Sequence, residues 1–202
     1  MRICFIGDSF VNGTGDDDCL GWTGRVCSAA RKAGHDLTFY NLGIRRDTSA
    51  DIAARWRREA EARLPAEHDC RLVFSFGAND CTPGNEADGR RVARERTLAH
   101  ARDILGTARA WLPTLMVGPL PVCDDPATNE RIARLSKDMG RLCATLHVPY
   151  LEVFPLALSS PLWTLETRKG DGAHPNVGGY ALIAGAVERW DAWRHWIDTE
   201  RH

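Results

Sequence analysis

Short runs of apolar residues recur along the chain, and longer stretches with helical character lie between and after them. Five of the short runs are rich in β-branched or aromatic residues and stop at a turn residue or a polar group, which predicts β-strands. They cover residues 3–6, 37–42, 72–76, 114–117 and 150–154. Their apolar residues are contiguous rather than alternating, as in strands that are buried on both faces.

Helix signals occupy much of the remaining sequence. Asp47 and Thr48 are suitable caps for a helix that extends to Leu64, where Pro65 ends it. Three further predicted helices cover residues 90–112, 127–146 and 176–196. Strands that alternate with helices predict a parallel sheet covered by helices on both faces. We therefore expect an α/β fold, a three-layer α/β/α sandwich, with residues 1–202 forming a single domain.

Composition and charge exclude several classes of protein. Hydrophobic residues make up 44% of the chain and charged residues 26%, which is typical of a globular protein. The formal net charge of −1 gives no electrostatic reason to expect a nucleic-acid partner. No apolar run approaches the roughly 20 residues of a membrane span, and the apolar N-terminus is too short for a signal peptide. Seven cysteines without a C-x-x-C pair complete the prediction of a reduced, cytoplasmic protein.

Polar residues follow the predicted strands at the end of a parallel sheet where ligands bind. Ser9 follows the first strand, Gly43 the second and Asn79 the third, while Asp171 and His174 precede the last helix. Each has an ordinary alternative explanation: Ser9 as a helix cap, Gly43 as a turn glycine with positive φ, and Asn79 as an Asx turn. Their convergence on one sheet edge favours a shared chemical role.

Acyl transfer is the chemistry that these residue types support together. A serine hydroxyl becomes a useful nucleophile when a histidine, oriented by a carboxylate, removes its proton. Asp171 is placed three residues before His174 in a turn that can bring the carboxylate to Nδ1. The Gly43 N–H and the Asn79 amide are candidate donors to the oxyanion that forms during ester hydrolysis.

Four ordered segments of the chain resemble the blocks of the SGNH (GDSL-like) hydrolases. The segments are residues 7–10 (GDSF), 41–43 (NLG), 77–80 (GAND) and 171–176 (DGAHPN). The resemblance extends over almost the whole chain and implies a flavodoxin-like five-stranded parallel sheet and a serine esterase mechanism. In that mechanism Ser9 is nucleophile and oxyanion donor, Gly43 and Asn79 are the other donors, His174 is the base and Asp171 its partner.

The sequence departs from the family pattern at two places. Phe10 replaces the leucine of the GDSL motif, and arginine stands where the second block often has another glycine. We hypothesise that Arg45 or Arg46 borders the site and favours an anionic acyl or alcohol group. The alternative is a solvated arginine pair.

The expected substrate is a small carboxylic ester with a short, acetyl-like acyl chain, hydrolysed without a metal or cofactor. Specificity is expected to come from the segments 81–87, 120–126 and 155–169. Thioesters, lysophospholipids and O-acetylated sugars stay open as alternative substrates. A non-catalytic, flavodoxin-like module that binds an anion or a flavin is the alternative from another class.

A stripe of tryptophans on the last helix bears on self-association. Trp190, Trp193 and Trp196 could form the interface of a homo-oligomer, since large aromatic residues are enriched at interfaces. Packing of the last helix on the sheet explains Trp190 equally well.

Overall fold

A five-stranded parallel sheet with the strand order β2-β1-β3-β4-β5 is the centre of the molecule. The structure is a computed structural model and describes residues 1–198. The strands are β1 (Arg2–Gly7), β2 (Thr38–Gly43), β3 (Cys70–Ser75), β4 (Thr114–Val117) and β5 (Tyr150–Leu151). The direction of chain progression across the sheet reverses at β1, which lies between β2 and β3. Such a switch point creates a crevice at the carboxyl ends of the strands.

Helices form a layer on each face of the sheet. They are α1 (Ser9–Asn12), α2 (Gly21–Lys32), α3 (Ser49–Glu61), α4 (Ala78–Cys81), α5 (Arg94–Trp111), α6 (Pro126–Leu146), α7 (Phe154–Leu158), α8 (Pro161–Lys169), α9 (Val177–Arg189) and α10 (Asp191–Asp198). The helix α2 packs against α9, whereas α5 packs against α3 and α6. The predicted α/β/α sandwich with a flavodoxin-like five-stranded sheet is confirmed.

Aromatic side chains on opposite sides of the sheet anchor the two layers. Phe5 of β1 packs edge-on against Trp22 of α2, with ring centroids 5.6 Å apart. Phe74 of β3 pairs in register with Ile6, so it lies on the opposite face from Phe5. There it packs against Trp56 of α3, with centroids 5.4 Å apart.

Burial of the strands differs between the centre and the edge of the sheet. All six residues of β3 are buried, as the contiguous apolar run predicted. The expectation that every strand is buried on both faces is wrong for β2, where only Leu42 is buried and Phe39 is 39% exposed. The strand β2 lies at the sheet edge, where one of its sides has no neighbouring strand.

Three predicted elements are shorter than the sequence suggested or are interrupted. Thr48 is the N-cap of α3 and forms a capping box with Asp51, but the helix ends at Glu61. The predicted helix over 176–196 is interrupted at Trp190, whose extended ψ of 124° separates α9 from α10. The strand predicted for 150–154 is shorter because Phe154 begins α7.

Three further expectations can be compared with the described residues. Trp193 and Trp196 are 3% and 9% exposed, so both pack inside the chain rather than on a surface for self-association. All seven cysteines are free. Within residues 1–198, no helix has the combined length and apolar character of a membrane crossing. A single domain over 1–202 stays a prediction, and residues 199–202 lie outside the described part.

Candidate active site

Ser9 lies at the carboxyl end of the central strand β1. Asp8 caps the single turn of α1 by accepting a hydrogen bond from the Phe10 N–H at 3.0 Å. Ser9 is the first residue of that helix, where a backbone N–H has no acceptor within the helix. The Ser9 side chain and N–H are therefore presented at the crevice, although the residue is only 4% exposed.

His174 and Asp171 lie in the loop between α8 and α9, and they connect to Ser9 in series. The Nδ1 atom of His174 is 2.7 Å from Oδ2 of Asp171. The Nε2 atom of His174 is 2.7 Å from Oγ of Ser9, although these two residues are 165 positions apart in the sequence. The histidine can therefore accept a proton from the serine at Nε2 while its Nδ1–H donates a hydrogen bond to the carboxylate.

The environment favours an ionised Asp171 and a neutral His174. Partial burial alone would raise the pKa of Asp171, but hydrogen bonds from the backbone and ring of His174 and from the Ala173 N–H lower it to about 2. Burial lowers the pKa of His174, and the neighbouring Asp171 opposes this effect. Near neutral pH the histidine is thus unprotonated at Nε2 and able to act as a base.

The loop that carries His174 is held by contacts that the sequence did not reveal. Glu166 of α8 accepts hydrogen bonds from the N–H groups of Asn176, Gly178 and Gly179 at 2.7–3.0 Å, and so caps the start of α9. The Asn176 side chain exchanges two hydrogen bonds with Asp17, at 3.0 and 2.7 Å. These contacts tie the histidine loop to the loop that follows α1.

Asn79 lies in α4, at the carboxyl end of β3. One N–H of its side-chain amide is directed to the Asp47 carbonyl oxygen at 2.9 Å. Since an amide nitrogen carries two hydrogens, a second donor is left for a ligand.

The next residue, Asp80, is fully buried and accepts hydrogen bonds from the Ser49 N–H and hydroxyl and from the Thr97 hydroxyl. Burial raises the pKa of Asp80. These bonds fix the segment that presents Asn79.

Gly43 is explained by a close approach of two chain segments. A Cβ atom added here would lie 2.2 Å from the Asn12 nitrogen and 2.7 Å from the Asp8 oxygen, so only glycine fits between β2 and α1. Its N–H donates to Oδ1 of Asn41 at 3.0 Å. Asn41 is held in turn by the Val11 carbonyl oxygen at 2.8 Å. The Gly43 N–H therefore already has an acceptor.

The two arginines of the second block have different environments. Arg45 reaches the site, with its guanidinium 2.9 Å from Oδ2 of Asp171. Arg46 adopts a left-handed conformation with φ of 72°, and its carbonyl oxygen accepts a hydrogen bond from Arg91. Arg45 thus borders the site through Asp171.

Two cavities lie near the predicted specificity segments. A cavity of about 460 Å³ is bordered by the segment 122–126 and by Phe154, Leu158 and Thr164, and its lining does not include Ser9 or His174. A second cavity of about 540 Å³ is lined by both Asp171 and His174. Over residues 1–198, no group of three or more His, Cys, Asp or Glu side chains is arranged to hold a metal ion.

Comparison with known proteins connects this geometry to a family. The model of the GDSL-like lipase/acylhydrolase family matches residues 5–182. A lipase/acylhydrolase from Enterococcus faecalis has a similar structure, with a TM-score of 0.71 and 24% identity over 96% of each chain. An acetylxylan esterase from Geobacillus stearothermophilus is similar over 93% of this chain and 92% of its own, with a TM-score of 0.74 and 19% identity. At sequence identities of 24% and 19%, this structural similarity shows that the chain shares its fold with the two enzymes. A comparison with curated protein sequences found no significant match.

Proposed function

The chain belongs to the GDSL-like lipase/acylhydrolase family and is a carboxylic ester hydrolase, and on that basis we propose that it acts as a serine esterase. Ser9 is the nucleophile, His174 the general base and Asp171 the residue that orients the imidazole. The observation that carries the proposal is the unbroken series Asp171–His174–Ser9, with both contacts at 2.7 Å.

The reaction proceeds through an acyl-enzyme. The Ser9 oxygen attacks the ester carbonyl while its proton moves to Nε2 of His174, and the carbonyl oxygen becomes an oxyanion. Collapse of this intermediate breaks the bond to the alcohol, which leaves with the proton from His174. Water then repeats the sequence: His174 accepts a proton from water, hydroxide attacks the acyl group, and the proton returns to Ser9 as the acid departs.

The oxyanion is stabilised by the Ser9 N–H and the second N–H of the Asn79 amide. Such donors are each worth about 2.7–4 kcal/mol in the transition state. The Gly43 N–H is the third donor in this proposal. Because the Gly43 N–H donates to Oδ1 of Asn41, it becomes available to the oxyanion when that hydrogen bond breaks.

Short acyl esters are the proposed substrates. Ser9 and His174 are 4% and 8% exposed, and the Phe10 ring lies 5.2 Å from the imidazole. This enclosure limits access to the nucleophile and favours a small acyl group such as acetyl. Thioesters and lysophospholipids require the same chemistry and are distinguished only by assay. The non-catalytic binding module is set aside, since the family membership makes the chain an ester hydrolase.

An O-acetylated carbohydrate is the second candidate substrate. The fold shared with an acetylxylan esterase favours it, and two variants of that esterase, with a serine or an aspartate changed to alanine, are described as catalytic mutants. The same residue types occupy the nucleophile and orienting positions in our proposal.

The test is hydrolysis of p-nitrophenyl esters of increasing acyl length by the wild type and Ser9→Ala, with and without a chelator. We expect the rate to fall with chain length, to survive the chelator and to vanish in Ser9→Ala. Substantial activity in Ser9→Ala, or loss of activity with the chelator, would contradict the mechanism. Faster release of acetate from acetylated xylo-oligosaccharides than from p-nitrophenyl acetate would support the carbohydrate substrate.

A further inference from the structure

One cation enters the candidate active site from a different part of the chain. Arg45 lies two residues after β2, in the loop that leads to α3. Its guanidinium donates to Oδ2 of Asp171 at 2.9 Å, across 126 positions of sequence. The same oxygen faces Nδ1 of His174 at 2.7 Å. Arginine and histidine therefore share one carboxylate oxygen.

We propose that Arg45 is a positioning residue of the esterase, which holds Asp171 in place from the loop after β2 and competes with His174 for the same oxygen. This inference rests on the proposed triad and adds a residue to it. Arg45 touches neither the nucleophile nor the reacting atoms in this account, and it acts through Asp171.

The hydrogen bonds of Asp171 show why the contact matters for orientation. Its Oδ1 atom accepts from the N–H groups of Ala173 and His174, at 3.1 and 3.0 Å, and both donors belong to its own loop. Arg45 is the donor that comes from another segment. That segment also contains Asp47, whose carbonyl oxygen binds the Asn79 amide. Arg45 thus links the acid–base residues to the loop that supports a proposed oxyanion donor.

The contact also changes the electrostatics of the base. The pKa of His174 is lowered first by burial, and Arg45 lowers it further while Asp171 raises it. An imidazolium forms when His174 takes the serine proton, and a nearby positive charge disfavours it. Arg45 therefore helps to keep His174 unprotonated at mildly acidic pH. The same charge makes His174 a weaker base.

Four other charged groups lie near His174. Glu166 and Lys169 of α8 and Asp17 of the loop after α1 line the same cavity as His174, and Asp8 precedes Ser9. Glu166 is bound to backbone N–H groups and Asp17 to Asn176. Within residues 1–198, Arg45 is the cation hydrogen-bonded to the Asp171–His174 pair.

The sharing of Asp171 also bears on the hypothesis of an anionic substrate. The Arg45 guanidinium is directed at a carboxylate of the protein itself, so an anionic ester would have to compete with Asp171 for it. A substrate-binding role and a positioning role consequently make different predictions for neutral esters.

The experiment compares Arg45→Gln and Arg45→Lys with the wild type, and Arg134→Gln serves as the matched control. Arg134 is a solvent-exposed arginine of α6 that pairs with a carboxylate, Glu130, outside the site. The first measurement is kcat/KM for p-nitrophenyl acetate as a function of pH. The second is the NMR titration of the His174 Cε1–H signal, assigned by its loss in His174→Gln.

The proposal predicts a specific change in Arg45→Gln. On the acid limb, kcat/KM falls roughly threefold, as expected for removal of one exposed charge near the imidazole, and the His174 signal titrates at higher pH than in the wild type. The effect is smaller at high ionic strength because exposed charges are screened. Arg45→Lys restores most of the wild-type profile, and Arg134→Gln matches the wild type throughout.

Two results would overturn the proposal. The first is a His174 titration and pH profile in Arg45→Gln that match those of Arg134→Gln. The second is a selective loss of activity on anionic esters with no change on neutral ones, which would make Arg45 a substrate-binding residue. Failure of the triad itself is recognised separately, by activity in Ser9→Ala, whereas the NMR titration reports the Arg45 contact without any turnover.

Discussion

Among residues 1–198, two clusters contain a serine, a histidine and an aspartate, and they connect the three side chains in different orders. In the first, Asp171 faces Nδ1 of His174, and Nε2 of the same ring faces Ser9. In the second, the serine lies in the middle: Ser49 donates its hydroxyl proton to Asp80 and lies 2.9 Å from Nδ1 of His100.

The difference decides where the serine proton can go. Because the Ser49 proton is directed at Asp80, His100 must donate its Nδ1–H to the Ser49 oxygen and cannot act as a base toward it. Ser49 is also fully buried, at 0% exposure. The Ser9 hydroxyl instead points to an unprotonated imidazole nitrogen beside a crevice. The same three residue types thus form a buried hydrogen-bonded cluster in one order and the triad that we propose for acyl transfer in the other.

The largest loss of activity is expected when the carboxylate of the first cluster, Asp171, is replaced. Asp171→Asn keeps the size of the side chain but favours the wrong tautomer of His174, so we expect kcat to fall about 10⁴-fold. Esterase kinetics with p-nitrophenyl acetate measure this, with Asp36→Asn at an exposed site as the control. A loss of less than tenfold would show that Asp171 does not orient the base.

The second-largest loss of activity is expected at Asn79, which the Ser49 cluster holds in place through the neighbouring Asp80. Asn79 adjoins Asp80, and Asn79→Ala removes the side-chain donor to the oxyanion. We expect kcat to fall about 10²–10³-fold while KM changes little, because this interaction forms in the transition state. If kcat stays within threefold of the wild type in a variant with unchanged thermal stability, Asn79 is not an oxyanion donor.

The carboxylate of Asp8 is buried, accepts a hydrogen bond from the Phe10 N–H rather than from a histidine, and gives a pH-dependent effect. Burial raises its pKa to about 7, whereas an unfolded aspartate has lost its proton above about pH 4. Between these values the folded protein binds more protons than the unfolded chain, so the stability of the wild type falls as the pH rises.

Asp8→Asn removes this dependence and keeps an acceptor for the Phe10 N–H. Relative to the wild type, the free energy of unfolding of the variant should be higher by about 1–2 kcal/mol at pH 7 than at pH 5. Urea denaturation at the two pH values measures the difference. An offset that is identical at both values would mean that Asp8 is ionised at pH 5 in the folded protein.

The smallest effect is expected at the histidine of the second cluster. His100→Gln removes a hydrogen bond to Ser49 and leaves all three hydrogen bonds to Asp80 in place, so we expect about 1 kcal/mol of destabilisation and activity within about twofold of the wild type. Thermal denaturation and the esterase assay measure these quantities. A large loss of activity at unchanged stability would show that the two clusters are coupled.

The sequence predicted the strands of the fold better than its helices. The strands β1, β2, β3 and β4 are located within two residues of the predicted ranges, because each contains a short run rich in β-branched or aromatic residues, and only β5 is shorter by three. The helix α2 was missed, since it begins at a glycine and has no side-chain cap. The break between α9 and α10 at Trp190 was missed because neither glycine nor proline marks it.

In the candidate site, the sequence predicted the local motifs but not the contacts between distant segments. Asp171 and His174 are three residues apart, so their spacing already limits their geometry. Arg45 and Asp171 are 126 positions apart, and the Asp17–Asn176 contact spans 159. Such contacts depend on how loops pack after folding, and no local pattern encodes them. The hydrogen bond of Gly43 to Asn41 is local, but the Asn41 side chain is held by the Val11 carbonyl oxygen, 30 positions away.

Covalent labelling with a fluorophosphonate is the sharpest test of the proposed Ser9–His174–Asp171 triad, because the probe reacts with an activated serine whatever the natural ester is. We expect one adduct per chain, located at Ser9 by peptide mass spectrometry, absent in Ser9→Ala and formed at least 100-fold more slowly in His174→Gln. Ser49 should stay unlabelled in all three proteins. An unlabelled Ser9 in folded wild-type protein, or labelling that is equally fast in His174→Gln, would contradict the proposed triad.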